Sequence, residues 1–165
     1  MKIITSTVTT PIGDMTAGST GKGICLLEWS KERIDQHFKN GEILKPGMDD
    51  HISLLKDELS DYFDLKVKSF SVPLDLIGTD FQKTVWNALC QIPYGRTSTY
   101  MQQAKSIGNP KAIRAMAIAN GKNKISIIIP CHRVIGSDGS LTGYGGGLEN
   151  KRLLLELESK QLHLF

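Results

Sequence analysis

Residues 99–121, TYMQQAKSIGNPKAIRAMAIANG, constrain the fold more than any other stretch, because they spell out two helices and the turn between them. Thr99 and Gln102 have the spacing of a capping box. In that motif the threonine hydroxyl accepts from the third helical N–H and the glutamine side chain reaches back to the threonine N–H. Gly108 is placed to close this short helix. Asn109 is expected to cap the next, with Pro110 at its first helical position and Gly121 just past its end. Two short helices joined by a glycine-containing turn predict a helix-turn-helix. The second helix carries Ala112, Ala115, Ala117 and Ala119, one central Arg114 and no acidic residue. Such a helix serves either close packing in a core or close approach of its backbone to a nucleic-acid groove. Spacing alone favours neither.

The remaining elements follow from periodicity and punctuation. KIITSTVTT and GICLLEW are β-branched or apolar runs separated by the turn signals PIGD and STGKG. KERIDQHF predicts a short helix, and KNGEILKPG a loop. Ile52, Leu55, Leu59, Tyr62 and Phe63 recur at helical spacing and predict an amphipathic helix from Asp50 to Phe63. FSVPLDLIG reads as an extended link between two lobes. Thr79 and Gln82 repeat the capping-box spacing, with Phe81, Val85, Ala88 and Leu89 as the buried stripe behind them. LENKRLLLELES predicts a last amphipathic helix with Leu153, Leu154 and Leu157 inward. The expectation is a mixed α/β (α+β) chain: a sheet-based lobe over residues 1–78 and a mostly helical lobe over 79–165.

The chemistry concentrates in IIIPCHRVIG, residues 127–136. The apolar run predicts a buried strand. A cysteine is useful as a nucleophile when it is a thiolate, which needs a neighbouring base or positive charge. His132 and Arg133 are the candidates, yet adjacent strand residues point to opposite faces. A relay through water, with a carboxylate orienting the imidazole, reconciles the two. Glu156 and Glu158 on the last helix are the nearest downstream acids able to return to the strand.

Composition narrows the class. Residues 1–78 hold 9 basic against 12 acidic residues and residues 79–165 hold 11 against 5, so the second half is strongly basic. That asymmetry suits a polyanionic partner as well as it suits a solvated face. Cys25, Cys90 and Cys131 are too scattered for a disulfide framework or a zinc site, so no metal is expected. Gly143, Gly145, Gly146 and Gly147 form a glycine-rich loop without a Walker or dinucleotide pattern, so no nucleotide cofactor is expected. No apolar stretch approaches membrane-spanning length and the N-terminus lacks a signal-peptide core, which predicts a cytoplasmic protein that meets no membrane. The expected state is a monomer.

PCHRVIG, preceded by GNPKAIRAMAIANGKNKISIII and followed by GYGGGLENKRLLLELE, resembles the O6-alkylguanine-DNA alkyltransferases, also called methylated-DNA–protein-cysteine methyltransferases. The resemblance is continuous from about Thr79 to Glu158 and looser through TPIGDM…GICLLEW. It implies a ribonuclease-H-like N-terminal lobe and a winged-helix-like C-terminal lobe. It also implies direct repair of O6-methylguanine, with O4-methylthymine as a second substrate, in double-stranded DNA without a cofactor. Cys131 would be the nucleophile, alkylated once and permanently, and His132 its base through a water. Glu158 would polarise His132, Asn123 would support the active-site turn, and Arg133 would be paired internally. Tyr100 would help protonate the leaving guanine. Main-chain groups of Cys131 and Val134 would accept from the exocyclic amine, the Gly145 amide would face O6, and Tyr144 with Gly146 would complete the pocket. The small-residue helix would enter the minor groove through Arg114, Ala115 and Ala117, with Asn109 and Lys111 beside it, and Arg114 would fill the space of an extruded nucleotide.

Three positions depart from the family pattern. Ala117 stands where glycine is frequent, Lys124 and Ser126 where prolines are common, and Gly145 where many relatives carry a small side chain. A lesion-binding relative without chemistry would lack Cys131. A redox-sensing helix-turn-helix regulator would not account for Tyr100, Asn123 and Glu158 in register, and a cysteine hydrolase would need a route from thioether back to thiol. His37, His51 and His163 are expected at the surface or satisfied, Cys25 and Cys90 as core thiols, and Trp29 and Trp86 as packing anchors.

Overall fold

The computed structural model describes residues 1–39 and 41–162, residues 161 and 162 by backbone alone. The chain divides into two compact units, Met1–Ile77 and Gly78–Phe165. His163 lies outside the described residues.

In the first unit β1 (Lys2–Val8), β2 (Met15–Ser19), β3 (Ile24–Glu28) and β4 (Ile43–Pro46) form one sheet in the order β3-β2-β1-β4. β2 pairs antiparallel with both β1 and β3, whereas β4 lies parallel to β1. A parallel return needs a crossover, and α1 (Lys31–His37) lies within it. The segment expected as a loop therefore supplies an edge strand. Its Pro46, opposite Thr5, is tolerated because an edge position spares the missing N–H. β2 carries no strong alternation. Gly18 within it is required by close approach, since a Cβ there would stand 2.9 Å from the Leu26 Cβ.

α2 (Asp50–Phe63) has the expected bounds, starts from an Asp49 carboxylate that accepts the Ile52 N–H at 2.9 Å, and buries Ile52, Leu55, Leu59 and Tyr62. Ile3, Cys25, Leu26 and Ile34 form a buried cluster in the same unit. Full burial of such aliphatic side chains is worth roughly 1.5–3 kcal/mol each. Residues 72–75 are extended: Ile24 N donates to the Pro73 carbonyl, and Asp75 N to the Ile24 carbonyl, each at 2.8 Å.

In the second unit α3 (Asp80–Leu89) opens on the complete Thr79–Gln82 capping box. Its buried residues are Val85, Trp86 and Leu89, while Phe81 is 39% exposed and Ala88 half-buried. The reason is Trp86, the bulkiest fully buried side chain, whose Nε1–H donates to the Ala119 carbonyl at 2.9 Å and turns the helix face toward itself. β5 (Ser98–Thr99) leads into α4 (Tyr100–Ser106), which also has its complete capping box. Gly108 follows with φ +73°.

The next helix differs from expectation. Asn109 does not cap it: the Asn109 carbonyl accepts from Ala112 N at 3.0 Å, closing a turn with Pro110 second. Asn first and Pro second are turn preferences as much as helix-start preferences, and here the turn wins. α5 runs from Ile113 to Gly121, so Gly121 is its last residue instead of lying beyond it. β6 (Val134–Ile135) pairs in parallel with β5, and α6 (Leu148–Leu162) ends the described chain. Among the described residues no helix is long and apolar enough to cross a membrane.

Candidate active site

The apolar run before Cys131 is a tight coil, not a strand. Ile125, Ile127 and Ile129 are each buried to within 2%. Ile128 N donates to the Ser126 carbonyl at 2.9 Å around an Ile127 with φ +72°, a γ-turn that is strained for a β-branched residue. Pro130, at φ −83° and ψ 60°, then forms an inverse γ-turn closed by Cys131 N donating to the Ile129 carbonyl at 2.8 Å. Cys131–Arg133 make one 3₁₀ turn, and only Val134 and Ile135 are extended in a strand. Cys131 and His132 therefore do not alternate across a strand.

One amide holds this coil. Asn123, 1% exposed, accepts from Ile125 N at 2.9 Å. Its Nδ2 donates to the Ile129 carbonyl at 2.9 Å and to Cys131 Sγ at 3.2 Å. A period-2 pattern cannot reveal a side chain that takes up backbone groups in this way.

Behind the thiol lies a buried ionic cluster. His132 Nε2 is 2.8 Å from Glu158 Oε2, and both side chains are buried. Arg133 donates from Nε to Oε1 and from Nη2 to Oε2 of the same carboxylate, at 2.9 and 3.1 Å, and from Nη1 to the Ile92 carbonyl at 2.7 Å. Burial would raise the Glu158 pKa, but the hydrogen bonds and charges of His132 and Arg133 outweigh it and bring it to about 2. Burial pulls His132 below its ordinary value, with Glu158 opposing. The imidazole is thus neutral beside an ionised carboxylate. A carboxylate only accepts, which assigns the proton to Nε2 and leaves the lone pair on Nδ1. Nδ1 is buried with no hydrogen-bond partner in the protein.

These shifts make the second unit acid-sensitive. Both groups have folded pKa values below their ordinary 6.5 and 4.5, so the unfolded chain takes up protons first as pH falls. Their stabilisation is complete above pH 6.5 and is lost first through His132, then below 4.5 as Glu158 is challenged. Urea midpoints followed by Trp86 fluorescence in a Trp29→Phe background should fall from pH 7 to 3, most steeply below 4.5. A flat profile would contradict the cluster.

The inward face of α6 also departs from expectation. Lys151, Leu154 and Glu158 are buried to within 1%, whereas Leu153 and Leu157 are half-buried. Lys151 Nζ donates to the Val134 carbonyl at 2.6 Å and to the Thr142 carbonyl at 2.9 Å. The Thr142 carbonyl also accepts from the Tyr100 hydroxyl at 3.3 Å. Lys151 therefore ties β6 to the glycine-rich loop, and that loop to Tyr100. Burial lowers the Lys151 pKa and charge on Cys131 opposes it. Sequence reasoning passed over this lysine, although its spacing of i, i+3, i+7 with Leu154 and Glu158 is a helical stripe.

Cys131, Tyr100, Ala117, Tyr144 and Gly145 line one cavity of about 360 Å³, joined by Asn120, Gly121 and Gly143, which the sequence reading had not assigned to a pocket. Val134 and Gly146 are not on its wall: Val134 is 1% exposed, and the Gly146 carbonyl accepts from Asn150 Nδ2 at 3.1 Å. Gly143 and Gly147 have φ +53° and +94°, which turn the loop back over the cavity side of α4. Asn109, Lys111, Arg114 and Ala115 are exposed along the turn and the open face of α5. Cys25 is buried as expected, but Cys90 is exposed at the end of α3. His37 is satisfied by Glu28 at 3.4 Å, and His51 lies 4.0 Å from Asp49.

A cysteine facing a base-sized cavity, in the unit that also carries a helix-turn-helix, is the arrangement of a DNA-acting protein that uses a thiol. Sequence comparison makes the class specific. Residues 80–160 match the family model for the 6-O-methylguanine DNA methyltransferase, DNA binding domain, and residues 3–76 match the ribonuclease-like domain of the same name. The chain belongs to the 6-O-methylguanine DNA methyltransferase family. A methylated-DNA–protein-cysteine methyltransferase of Methanosarcina acetivorans is 59% identical over 153 residues, covering 90% of this chain and 93% of the relative. One of Mycobacterium tuberculosis is 47% identical over 158 residues, covering 94% and 92%. The crystal structure of M. tuberculosis OGT in complex with DNA superposes with a TM-score of 0.83 at 44% identity, covering 98% of this chain and 94% of that one.

Proposed function

We propose that the protein repairs duplex DNA by direct reversal, moving the alkyl group of O6-alkylguanine onto Cys131 Sγ once per molecule. O4-methylthymine is the second substrate. It acts as a monomer in the cytoplasm, without metal or cofactor, through the helical domain over residues 79–165. The observation that carries this reading is Cys131 on the cavity wall, with Asn123 donating to its sulfur at 3.2 Å and the buried His132–Glu158 pair behind it.

In the reaction the thiol proton passes through a bridging water to Nδ1 of neutral His132, and Glu158 holds the resulting imidazolium. Sulfur attacks the alkyl carbon, the S–C bond forms as the C–O6 bond breaks, and the guanine leaves with a proton from Tyr100. Until the base binds, the Tyr100 proton is held by the Thr142 carbonyl, which Lys151 fixes, and with the base in place it turns from that carbonyl to the guanine. The main-chain carbonyl of Cys131 accepts from the exocyclic amine, and the Gly145 amide faces O6. Gly146 serves the loop backbone. The open face of α5, with Arg114, Ala115 and the cavity-lining Ala117, meets the minor groove, and Asn109 and Lys111 contact the adjacent backbone. Arg133 is a structural partner of Glu158. A thioether has no easy route back to thiol, so turnover stops at one.

The test is a reaction with duplex DNA bearing O6-methylguanine, followed by peptide mass spectrometry. One equivalent of DNA should add about 14 Da to the Cys131 peptide, the CH₂ gained when a thiol becomes a methyl thioether. Continued demethylation beyond one equivalent, or the added mass on Cys25 or Cys90, would overturn the proposal.

A further inference from the structure

Gln103 on α4 and Asn120 on α5 form a reciprocal amide pair. Gln103 Nε2 donates to Asn120 Oδ1, and Asn120 Nδ2 donates to Gln103 Oε1, both at 2.8 Å. The two residues are 2% and 9% exposed. Stability does not explain such a pair. Deleting one amide strands the other in the interior, but replacing both with apolar groups of similar shape is nearly neutral. The pair therefore points to something other than cohesion between the two helices.

The inventory of each amide shows what remains. A primary amide has two N–H donors, and the pair uses one from each residue. The second N–H of Asn120 has no hydrogen-bond partner among the described residues, and Asn120 is on the wall of the Cys131 cavity. Gln103 lines a different cavity, of about 320 Å³, so its spare N–H lies away from the thiol. Apart from the two tyrosines and Cys131, Asn120 is the one cavity-lining residue with a polar side chain. Gln103 fixes the plane of the Asn120 amide, and so fixes where that donor points.

We propose that Asn120 is a substrate-binding residue, donating its free N–H to an acceptor on the edge of the extruded purine, and that Gln103 is the positioning residue that aims it. The proposal rests on the alkyltransferase reading of the same cavity. It assigns Asn120 to affinity for the base, and not to thiol activation or to DNA backbone contact.

The probe is free O6-benzylguanine, which reaches the cavity without a duplex. In the Gln103→Leu/Asn120→Leu double variant the apparent Kd for this base should rise roughly tenfold, the loss of about one hydrogen bond. The limiting single-turnover rate, the thermal midpoint and the iodoacetamide reactivity of Cys131 should stay close to the parent. Gln103→Glu retains an acceptor for Asn120 and leaves its free N–H in place, so base affinity should stay within a few-fold of the parent. Asn120→Ala, which removes the amide and leaves no donor, gives the same loss of base affinity at a lower thermal midpoint if the double variant does not fold. An unchanged Kd in the Asn120 variants would overturn the assignment. Equal losses in Gln103→Glu and the double variant would reduce the pair to a structural lock. Failure of the unmodified protein to react with O6-benzylguanine would instead count against the alkyltransferase reading itself.

Discussion

Glu158→Gln is expected to slow alkyl transfer by about a hundredfold or more while leaving affinity for duplex DNA nearly unchanged. The carboxylate accepts a hydrogen bond from His132 Nε2–H at 2.8 Å and two from N–H groups of Arg133. A glutamine amide presents one acceptor and one donor in place of two acceptors. Its NH₂ facing Nε2 would favour the tautomer protonated on Nδ1, and an Nδ1 that already holds a proton cannot take one from the thiol. Exchanging the carboxylate of a Ser-His-Asp triad for its amide has a penalty of about 10⁴ for the same reason. The buried Arg133 would also lose its counter-charge, a change that typically costs about 3–5 kcal/mol of stability. The thermal midpoint should fall with the rate, and single-turnover assays on folded protein at reduced temperature separate the two. Unchanged transfer kinetics would remove Glu158 from the mechanism.

Arg114→Ala should slow repair of duplex DNA by roughly a hundredfold and leave reaction with free O6-benzylguanine almost untouched. Arg114 is exposed on α5, has no ion pair among the described residues, and lies on the same helix as the cavity residues Ala117, Asn120 and Gly121. Packing gives no reason for a long cation there. Extruding a nucleotide leaves a gap in the base stack, and unstacking costs a few kcal/mol. A planar guanidinium can fill that gap and pair with the orphaned base. The free base needs no extrusion, so it reports on the cavity alone. Comparable losses on both substrates would mean that Arg114 shapes the cavity or the fold, and the finger assignment would fall.

The parts of this molecule that were legible in the sequence are those set by near neighbours. Both capping boxes, at Thr79–Gln82 and Thr99–Gln102, are complete because every group involved lies within four residues. The bounds of α2 follow from a simple stripe of Ile52, Leu55, Leu59 and Tyr62 behind an aspartate cap. The helix-turn-helix was read correctly in outline, but Asn-Pro serves turns and helix starts alike, and only the Asn109–Ala112 hydrogen bond decides between them.

What stayed hidden depends on distant groups. The coil at 125–130 looks like a strand because its isoleucines are buried, but the Asn123 amide captures the backbone that a sheet would have used. The inward face of α6 was assigned to leucines because Lys and Glu usually stay in water. Lys151 turns inward because the carbonyls of Val134 and Thr142 wait for it there, on the same stripe as Glu158, the one inward charge that the sequence had indicated. The resemblance placed Cys131, His132, Asn123 and Glu158 together, and the structure shows two contacts among them, Asn123 to Cys131 and His132 to Glu158. It did not point to Lys151 or Asn120, which no motif names.

The inward stripe of α6 also sets an order in time. Cys131, Asn123 and the cavity helix α5 all precede residue 148 in the chain, whereas the carboxylate and the ammonium behind the thiol belong to α6. During synthesis α6 is added to the chain after the thiol, the coil around it and α5. Until α6 docks, His132 has no acceptor to set its tautomer, Arg133 has no counter-ion, and the glycine-rich loop has no clip. The surroundings of the Cys131 thiol are therefore complete only once α6 has docked.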